Sequence, residues 1–472
     1  MPSRRSILLG ALAAAGSLPT GAMAQPSAAT TVLRVERRTI EVNRRPAVVL
    51  GIRQPDGTFG LTTAAGTSFR VRLENHLDEP TLIHWHGMTP PWRQDGVPGI
   101  SGPPIRAGES GEFDFPLRFG GTFWMHSHEG LQEQLLAAAP LIIKDARDQT
   151  DQQEIVVMLA DFSFTPPAQI FADLRKKQGM VNMAPATPGM AGMDSSGTPA
   201  ANALDLNDVK YDAFLANDRT LEDPEVVTVE PGGRILLRII NSSAMSAYHI
   251  DTGALVGSLV AVDGFAIQPV TGRRFPIAVA QRLDIRLQLP KGSHIYPLLA
   301  VLEGDRRRTG IVLAAGNAAI TRVSNMASKS STPLNLNLEH RLRAAAPLSV
   351  RKADRTHLIN LTGEMAGYIW SINNVVWNPR VPPLSVVEGE RVELVLQNQT
   401  GMSHPMHLHG HEFQVVEIDG VRLSGAVRDT VLVPPNSRVT VAFDANNPGH
   451  WAFHCHLLYH LDAGMFITLR YI

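Results

Sequence analysis

Four times in this chain two histidines stand one residue apart: "HWH" (His84, His86), "HSH" (His126, His128), "HLH" (His407, His409) and "HCH" (His454, His456). Neutral imidazole is a ligand for zinc, copper, iron and nickel. On a β-strand, residues i and i+2 share a face, about 6.6 Å apart at about 3.3 Å per residue. Each pair therefore presents two imidazoles side by side, too widely spaced to share one ion easily and suited to adjacent ions. Of 17 histidines, eight fall into such pairs at equivalent places in the chain, which chance scatter does not explain. His76, His249, His294, His340, His357, His411 and His450 read as ordinary surface or core histidines.

Cys455, the only cysteine, sits inside the fourth pair. Strand alternation turns its sulfur away from His454 and His456, toward a face where His404, His460 and Met465 are available. One cysteine, two histidines and a weak axial methionine make the ligand set of a blue-copper electron-transfer centre. The chain contains its own control. The first HxH-bearing unit has Ser127 where the last has Cys455, Gln132 for His460, Ala137 for Met465 and Thr81 for His404. Four groups absent together, while the paired histidines remain, behave as one ligand set.

The elements that carry these residues repeat. "GTSFRVRLEN" (Gly66 to Asn75), "GGRILLRIIN" (Gly232 to Asn241) and "GERVELVLQN" (Gly389 to Asn398) each run from Gly to Asn with alternating apolar residues, as a half-buried strand does. They recur about 160 residues apart, the size of a domain. After the first, His84 lies nine positions beyond Asn75, and after the third His407 lies nine beyond Asn398; the middle copy has His249 and Asp251 instead. "GGTFWMHSH" in the first unit likewise matches "PGHWAFHCH" in the third. Three units follow, 31–147, 152–317 and 333–472, with ligands in the outer two and none in the middle one. With 39 Gly and 33 Pro among short Val/Ile/Leu/Thr runs, the expected class is all-β, built of Greek-key barrels or sandwiches.

Charge excludes one function class. With 43 Lys+Arg against 44 Asp+Glu, the net charge of -1 gives no field for nucleic acid. Residues 1–24, with Arg4-Arg5, an apolar run from Ile7 and Ala22-Met23-Ala24 before Gln25, have the form of a twin-arginine export signal. That run is too short and too broken by Gly and Pro for a membrane anchor, and no later segment approaches about 18 apolar residues. Export into an oxidising compartment makes a lone cysteine either inert or metal-held.

The motifs H-x-H-G, H-x-H, H-x-x-H-x-H and H-C-H-x3-H-x4-M resemble those of the multicopper oxidases over the whole mature chain. That resemblance implies three cupredoxin-like domains and four coppers. The type 1 copper takes His404, Cys455, His460 and Met465, and the type 2 copper takes His84 and His407. The type 3 pair takes His86, His126, His128, His409, His454 and His456. It further implies four one-electron oxidations at the type 1 site, passage of electrons through Cys455, and reduction of dioxygen to two waters. Dioxygen reduction consumes protons. Asp95, in "WRQDGVPGI", resembles the acidic residue such oxidases keep near the cluster; a loop Asp in a turn with Gly96 is its other reading. Many bacterial relatives have Glu directly after the last type 1 histidine; here Leu461 stands there with Asp462 next, so Asp462 is the candidate second proton donor.

"HSHEGLQEQLLAAAPLII" and "VKYDAFLAND" look most like the bacterial copper-tolerance (CopA/PcoA-like) oxidases, with bacterial laccases as the neighbouring group. Met180, Met183, Met190 and Met193 lie in a Gly/Pro/Ala-rich loop of the second domain and either gather Cu(I) through soft thioethers or are incidental. Met402 matches a position near the type 1 copper where substrate Cu(I) enters, although the neighbouring Thr400 and Gly401 supply no acid. The expected function is a periplasmic, monomeric oxidase using Cu(I) or small phenols and amines as reductants and dioxygen as acceptor. A laccase acting mainly on organic phenols or amines and a non-catalytic copper-sequestering protein are the alternatives.

Overall fold

The structure, a computed structural model, describes residues 30–145, 151–177 and 206–472. The export signal at 1–24 and Met180, Met183, Met190 and Met193 lie outside the described residues. The chain is 50 % strand and 6 % helix, and its described strands form six sheets, two for each repeat. In the first repeat a four-stranded sheet has the order Arg45–Arg53, Thr31–Val42, Ser68–Asn75, Ser110–Pro116. The second sheet runs Leu61–Ala64, Ala138–Lys144, Gly121–Ser127, Ile83–His86. One apolar core fills the space between them, with Leu33, Val71, Leu73 and Phe115 from one sheet and Trp85, Met125 and Leu141 from the other. Six- and five-stranded sheets make up the second repeat, and seven- and five-stranded sheets the third.

The repeated ten-residue segments form equivalent strands, Ser68–Asn75, Arg234–Asn241 and Arg391–Asn398. Each pairs in parallel with the opening strand of its repeat and antiparallel with a later one. The outer two alternate between buried and partly exposed positions. The middle one does not: seven of its eight residues are buried, because its second face packs on the first repeat. There the buried Arg238 donates to Thr122 Oγ1 of the first repeat at 3.0 Å and to Asp284 Oδ2 at 3.0 Å.

The closing asparagine of the segment has a physical reason in all three copies. Asn75, Asn241 and Asn398 each accept from the backbone N–H two residues on, and their amides donate to Glu79 O, Ser246 O and Met402 O. This side-chain-to-backbone turn lets the chain leave the strand with its polar groups satisfied. The glycine of H-x-H-G is needed too. Gly87 and Gly410 have φ of 85° and 65°, and a Cβ on Gly410 would lie 2.3 Å from the Trp451 ring. No side chain is tolerated where the chain turns immediately after the second histidine.

Among the described residues no helix is long and apolar enough to cross a membrane. The longer of the two α-helices among the described residues, Pro167–Lys177, belongs to the middle repeat, and Phe171 on it lies against Tyr368 and Tyr459 of the third. Replacing Asn398 by Ala strands the carbonyls of Met402 and Val433, to which its amide donates at 2.7 and 2.9 Å. A loss of about 1–3 kcal/mol follows, to be read as a lower melting temperature of the copper-free protein.

Candidate metal centre

Strand pairing brings the histidine pairs together. His84 stands directly opposite His126 on the paired strands Ile83–His86 and Gly121–Ser127. His407 stands opposite His454 on His404–Leu408 and His450–Cys455. The two outer repeats then interlock ring on ring: His86 stacks on His407 and His84 lies over His409, each at 3.8 Å between centroids. His84 Nε2 is 3.4 Å from His407 Nε2, and His409 Nε2 is 2.9 Å from His454 Nε2. Ring nitrogens of His128, His409 and His454 all lie within 4.8 Å of one another. His86, His126 and His456 form a second trio with centroids 5.0 to 5.6 Å apart. The strand spacing of the pairs is shortened here. His407 and His409 rings are 4.7 Å apart and His84 and His86 rings 5.6 Å apart, and His128, His409 and His456 each stand one residue past the end of their strands.

Six of the eight rings are held from outside. His84 Nδ1 donates to the Asp95 carbonyl at 2.9 Å and His407 Nδ1 to the Asp429 carbonyl at 2.8 Å. His86 Nε2 donates to Asp429 Oδ1 at 3.0 Å, His409 Nδ1 to Asp95 Oδ2 at 2.9 Å, and His454 Nδ1 to the Cys455 carbonyl at 2.9 Å. His126 Nδ1 reaches Glu133 Oε2 at 2.8 Å. On the inner side, His86 Nδ1 and the Nε2 atoms of His126, His128 and His456 are buried with no hydrogen-bond partner among the described residues. A buried nitrogen without a partner costs about 1–3 kcal/mol. Burial, and then repulsion among neighbouring rings, holds His86, His126, His128, His407, His409 and His456 well below the usual histidine range. Neutral imidazoles with inward lone pairs fit metal ions at the centre.

On the other face of the His450–Cys455 strand lies a separate triangle. Cys455 Sγ is 3.6 Å from His404 Nδ1 and 3.9 Å from His460 Nδ1, and the two nitrogens are 3.3 Å apart. Bonds of about 2.0 Å to nitrogen and about 2.3 Å to sulfur would put trigonal ligands about 3.5–3.7 Å apart, so the triangle has the size of one ion's coordination. Met465 is fully buried, and its carbonyl accepts from Cys455 N–H at 3.1 Å. His404 Nε2 donates to Thr400 Oγ1 at 2.7 Å, and His460 Nε2 donates to Asp208 Oδ2 at 3.0 Å. Trp370 stacks on His460 at 3.9 Å. Burial above all, then the charge of Asp208, pushes the Cys455 thiol well above its ordinary value. A cation is therefore needed to hold it as thiolate.

Three multicopper oxidase family models match the chain, at residues 42–148, 154–325 and 351–471. It is 30 % identical to multicopper oxidase MmcO of Mycobacterium tuberculosis over 87 % of this chain and 81 % of that protein. The chain belongs to the multicopper oxidase family. It is also 28 % identical to a copper resistance protein A homolog of Pseudomonas syringae pv. tomato, covering 86 % of each. It is 24 % identical to laccase-2 of Thanatephorus cucumeris, over 86 % of this chain and 84 % of that one. In fold it is similar to Fet3p, a multicopper oxidase that functions in iron import (TM-score 0.77, 19 % identity, 94 % and 90 % covered). A laccase from Botrytis aclada is similar at TM-score 0.75, with 21 % identity and 93 % and 88 % covered. The three cupredoxin-like domains and the oxidoreductase class expected from the sequence are those of this family.

Within this oxidase the two acidic residues singled out from the sequence fall in different places. Asp95 is buried between the outer repeats, its two oxygens 3.2 Å from His84 Nδ1 and 2.9 Å from His409 Nδ1. Asp462 is not with the cluster. It ends the short helix Leu458–Asp462, is exposed, and has Arg175 as its charged neighbour. Two helical residues on from His460, it points roughly the opposite way round the helix. Glu133, Asp429 and Asp208 were not singled out from the sequence. For Glu133 a signal existed: Gln132 aligns with His460, so Glu133 occupies the first repeat's counterpart of Leu461. Asp429 and Asp208 come from loops with no motif of their own.

The lowered histidines set a pH dependence. A ring neutral in the fold but protonated when unfolded makes the unfolded chain bind more protons, so stability rises with pH in that window. Unfolded histidine titrates near 6.5, whereas burial lowers His454 and His411 to about 4. The copper-free oxidase is expected to lose melting temperature progressively as pH falls from about 6.5 toward about 4, and copper loading to remove most of that slope.

Proposed function

We propose that this oxidase is a periplasmic cuprous oxidase serving copper tolerance, with four coppers held by the residues the sequence singled out. In this reading His404, Cys455, His460 and Met465 hold the type 1 copper, and His84 and His407 the type 2 copper. One type 3 copper lies among His86, His126 and His456 and the other among His128, His409 and His454. Bound copper supplies one-electron oxidation at the cysteine site and four-electron reduction of dioxygen to water at the histidine cluster. The chain supplies the connection. Cys455 is bonded through its backbone to His454 and His456, and the hydrogen bond from His454 Nδ1 to the Cys455 carbonyl, 2.9 Å, adds a second link. Asp95, buried against His84 and His409, is the carboxylate assigned to supply protons during dioxygen reduction.

One observation carries the choice of Cu(I). A small cleft beside the His404–Leu408 strand is lined by Met402, Met245 and Glu303. Two thioethers and one carboxyl group make a soft donor set suited to Cu(I). The acid absent from the neighbourhood of Met402 in sequence thus comes from the middle repeat. Burial raises the Glu303 carboxyl to about 7. His460 and Asp208, by contrast, have fully buried side chains, so a bulky organic reductant has no direct contact with that ring. The copper resistance relatives support the same reading.

Oxygen-uptake kinetics test it. Cu(I) is expected to be consumed much faster than a small phenol such as dimethoxyphenol. Met402→Leu and Glu303→Gln should each raise KM for Cu(I) about tenfold, equivalent to about 1.4 kcal/mol, with phenol kinetics unchanged. Uptake with phenols alone would favour a laccase, and no uptake by copper-loaded protein would favour sequestration.

A further inference from the structure

We infer that Glu133 is a positioning residue for the histidine cluster, a single carboxylate that orients His126 of the first repeat and His456 of the third. Its Oε2 is 2.8 Å from His126 Nδ1 and its Oε1 is 3.8 Å from His456 Nδ1. Oε1 is buried and has no hydrogen-bond partner among the described residues. The Nε2 atoms of both rings, also buried and without partners, are the ones left to face the cluster. A carboxylate on Nδ1–H fixes the tautomer and the ring plane, so that the Nε2 lone pair is presented without a search.

The turn that carries Glu133 is built to keep it still. It is the short 3-10 turn Gln132–Leu135, closed by Leu136 at φ 63°, and Gln132, Glu133 and Gln134 are all buried. Gln132 donates to the Pro80 carbonyl at 2.9 Å and accepts from Thr81 and Ser127, each at 2.8 Å. Gln134 donates to Asp161 of the middle repeat and accepts from Tyr211 of the middle repeat and Tyr459 of the third. The residues on either side of Glu133 are therefore tied to all three repeats, which leaves its carboxylate a fixed place between two histidines from different repeats.

The repeat relation sharpens the assignment. Ser127, Gln132 and Ala137 correspond to Cys455, His460 and Met465, so Glu133 corresponds to Leu461. At this pair of related places the acid is present in the first repeat and absent from the third. One carboxylate thus serves rings contributed by both.

Copper titration of the copper-free full chain tests this, using Glu133→Leu and Glu133→Gln. Readouts are copper bound per chain, the melting temperature before and after loading, and the blue absorption of the cysteine site. Glu133→Leu removes both acceptors, and its cluster affinity for copper should fall about 10–100-fold, the usual effect of losing such a partner. Blue absorption should be retained, while the copper-free protein melts somewhat lower because the buried His126 Nδ1 keeps only the Ser127 carbonyl at 3.3 Å. Glu133→Gln keeps an acceptor for His126 but turns an amide N–H toward His456, so its loss should be intermediate. That order, with an undiminished blue site, supports the role. Cluster affinity equal to wild type in the Glu133→Leu protein overturns it. If Glu133→Leu does not fold, Glu133→Gln decides: weaker cluster binding at unchanged copper-free melting temperature supports the role, and wild-type binding overturns it.

Discussion

Eight imidazoles converging in a buried interface are the constraint on which the rest of this molecule depends. Rings so close cannot be charged together, and burial opposes charging any of them. They persist as neutral ligands only because their outer nitrogens have acceptors: carbonyls of Asp95, Asp429 and Cys455, and carboxylates of Asp95, Asp429 and Glu133. Inner nitrogens left without partners make the copper-free interface costly, and metal binding removes that cost. The first and third repeats are thereby joined by the same rings that are proposed to hold the metal.

The middle repeat contributes no histidine to either site, yet it supports both. Arg282, fully buried, forms an ion pair with Asp429, which in turn accepts from His86; Nη1 to Oδ1 is 2.8 Å. Asp263 faces Arg282 and also pairs with Arg428 of the third repeat at 2.8 Å. A buried charge network of this kind adds little net stability, but removal of one member leaves an uncompensated charge. Its use here is orientation. Asp208 plays the corresponding part at the cysteine site, receiving hydrogen bonds from both His460 and Tyr368.

The sequence was most legible where chemistry and periodicity coincide. Paired histidines, a lone cysteine between two of them, and a ten-residue segment written three times pointed to two candidate sites and an all-β chain of three repeats. The closing asparagines were part of the repeat pattern before their turn hydrogen bonds gave them a reason. Burial was less legible: Arg234–Asn241 reads as a half-exposed strand, but packing on the first repeat covers both faces. Asp462 was singled out only as the acid next to Leu461, and the short helix Leu458–Asp462 turns it to solvent. Asp208 and Glu303 approach their partners across repeat boundaries, from places that no spacing along the chain marks, whereas Glu133 was marked only by the alignment of Gln132 with His460. Long-range partners of this sort are invisible to local pattern.

The central claim is that one segment, His454–Cys455–His456, serves two metal sites on opposite faces. Visible absorption and copper content of copper-loaded wild-type and Cys455→Ser protein test it most directly. The intense blue band should be present in wild type and absent from the variant, while the variant keeps the copper bound by the histidine cluster. A blue band that survives the substitution, or a wild-type protein that is colourless when fully loaded, would rule the two-face arrangement out.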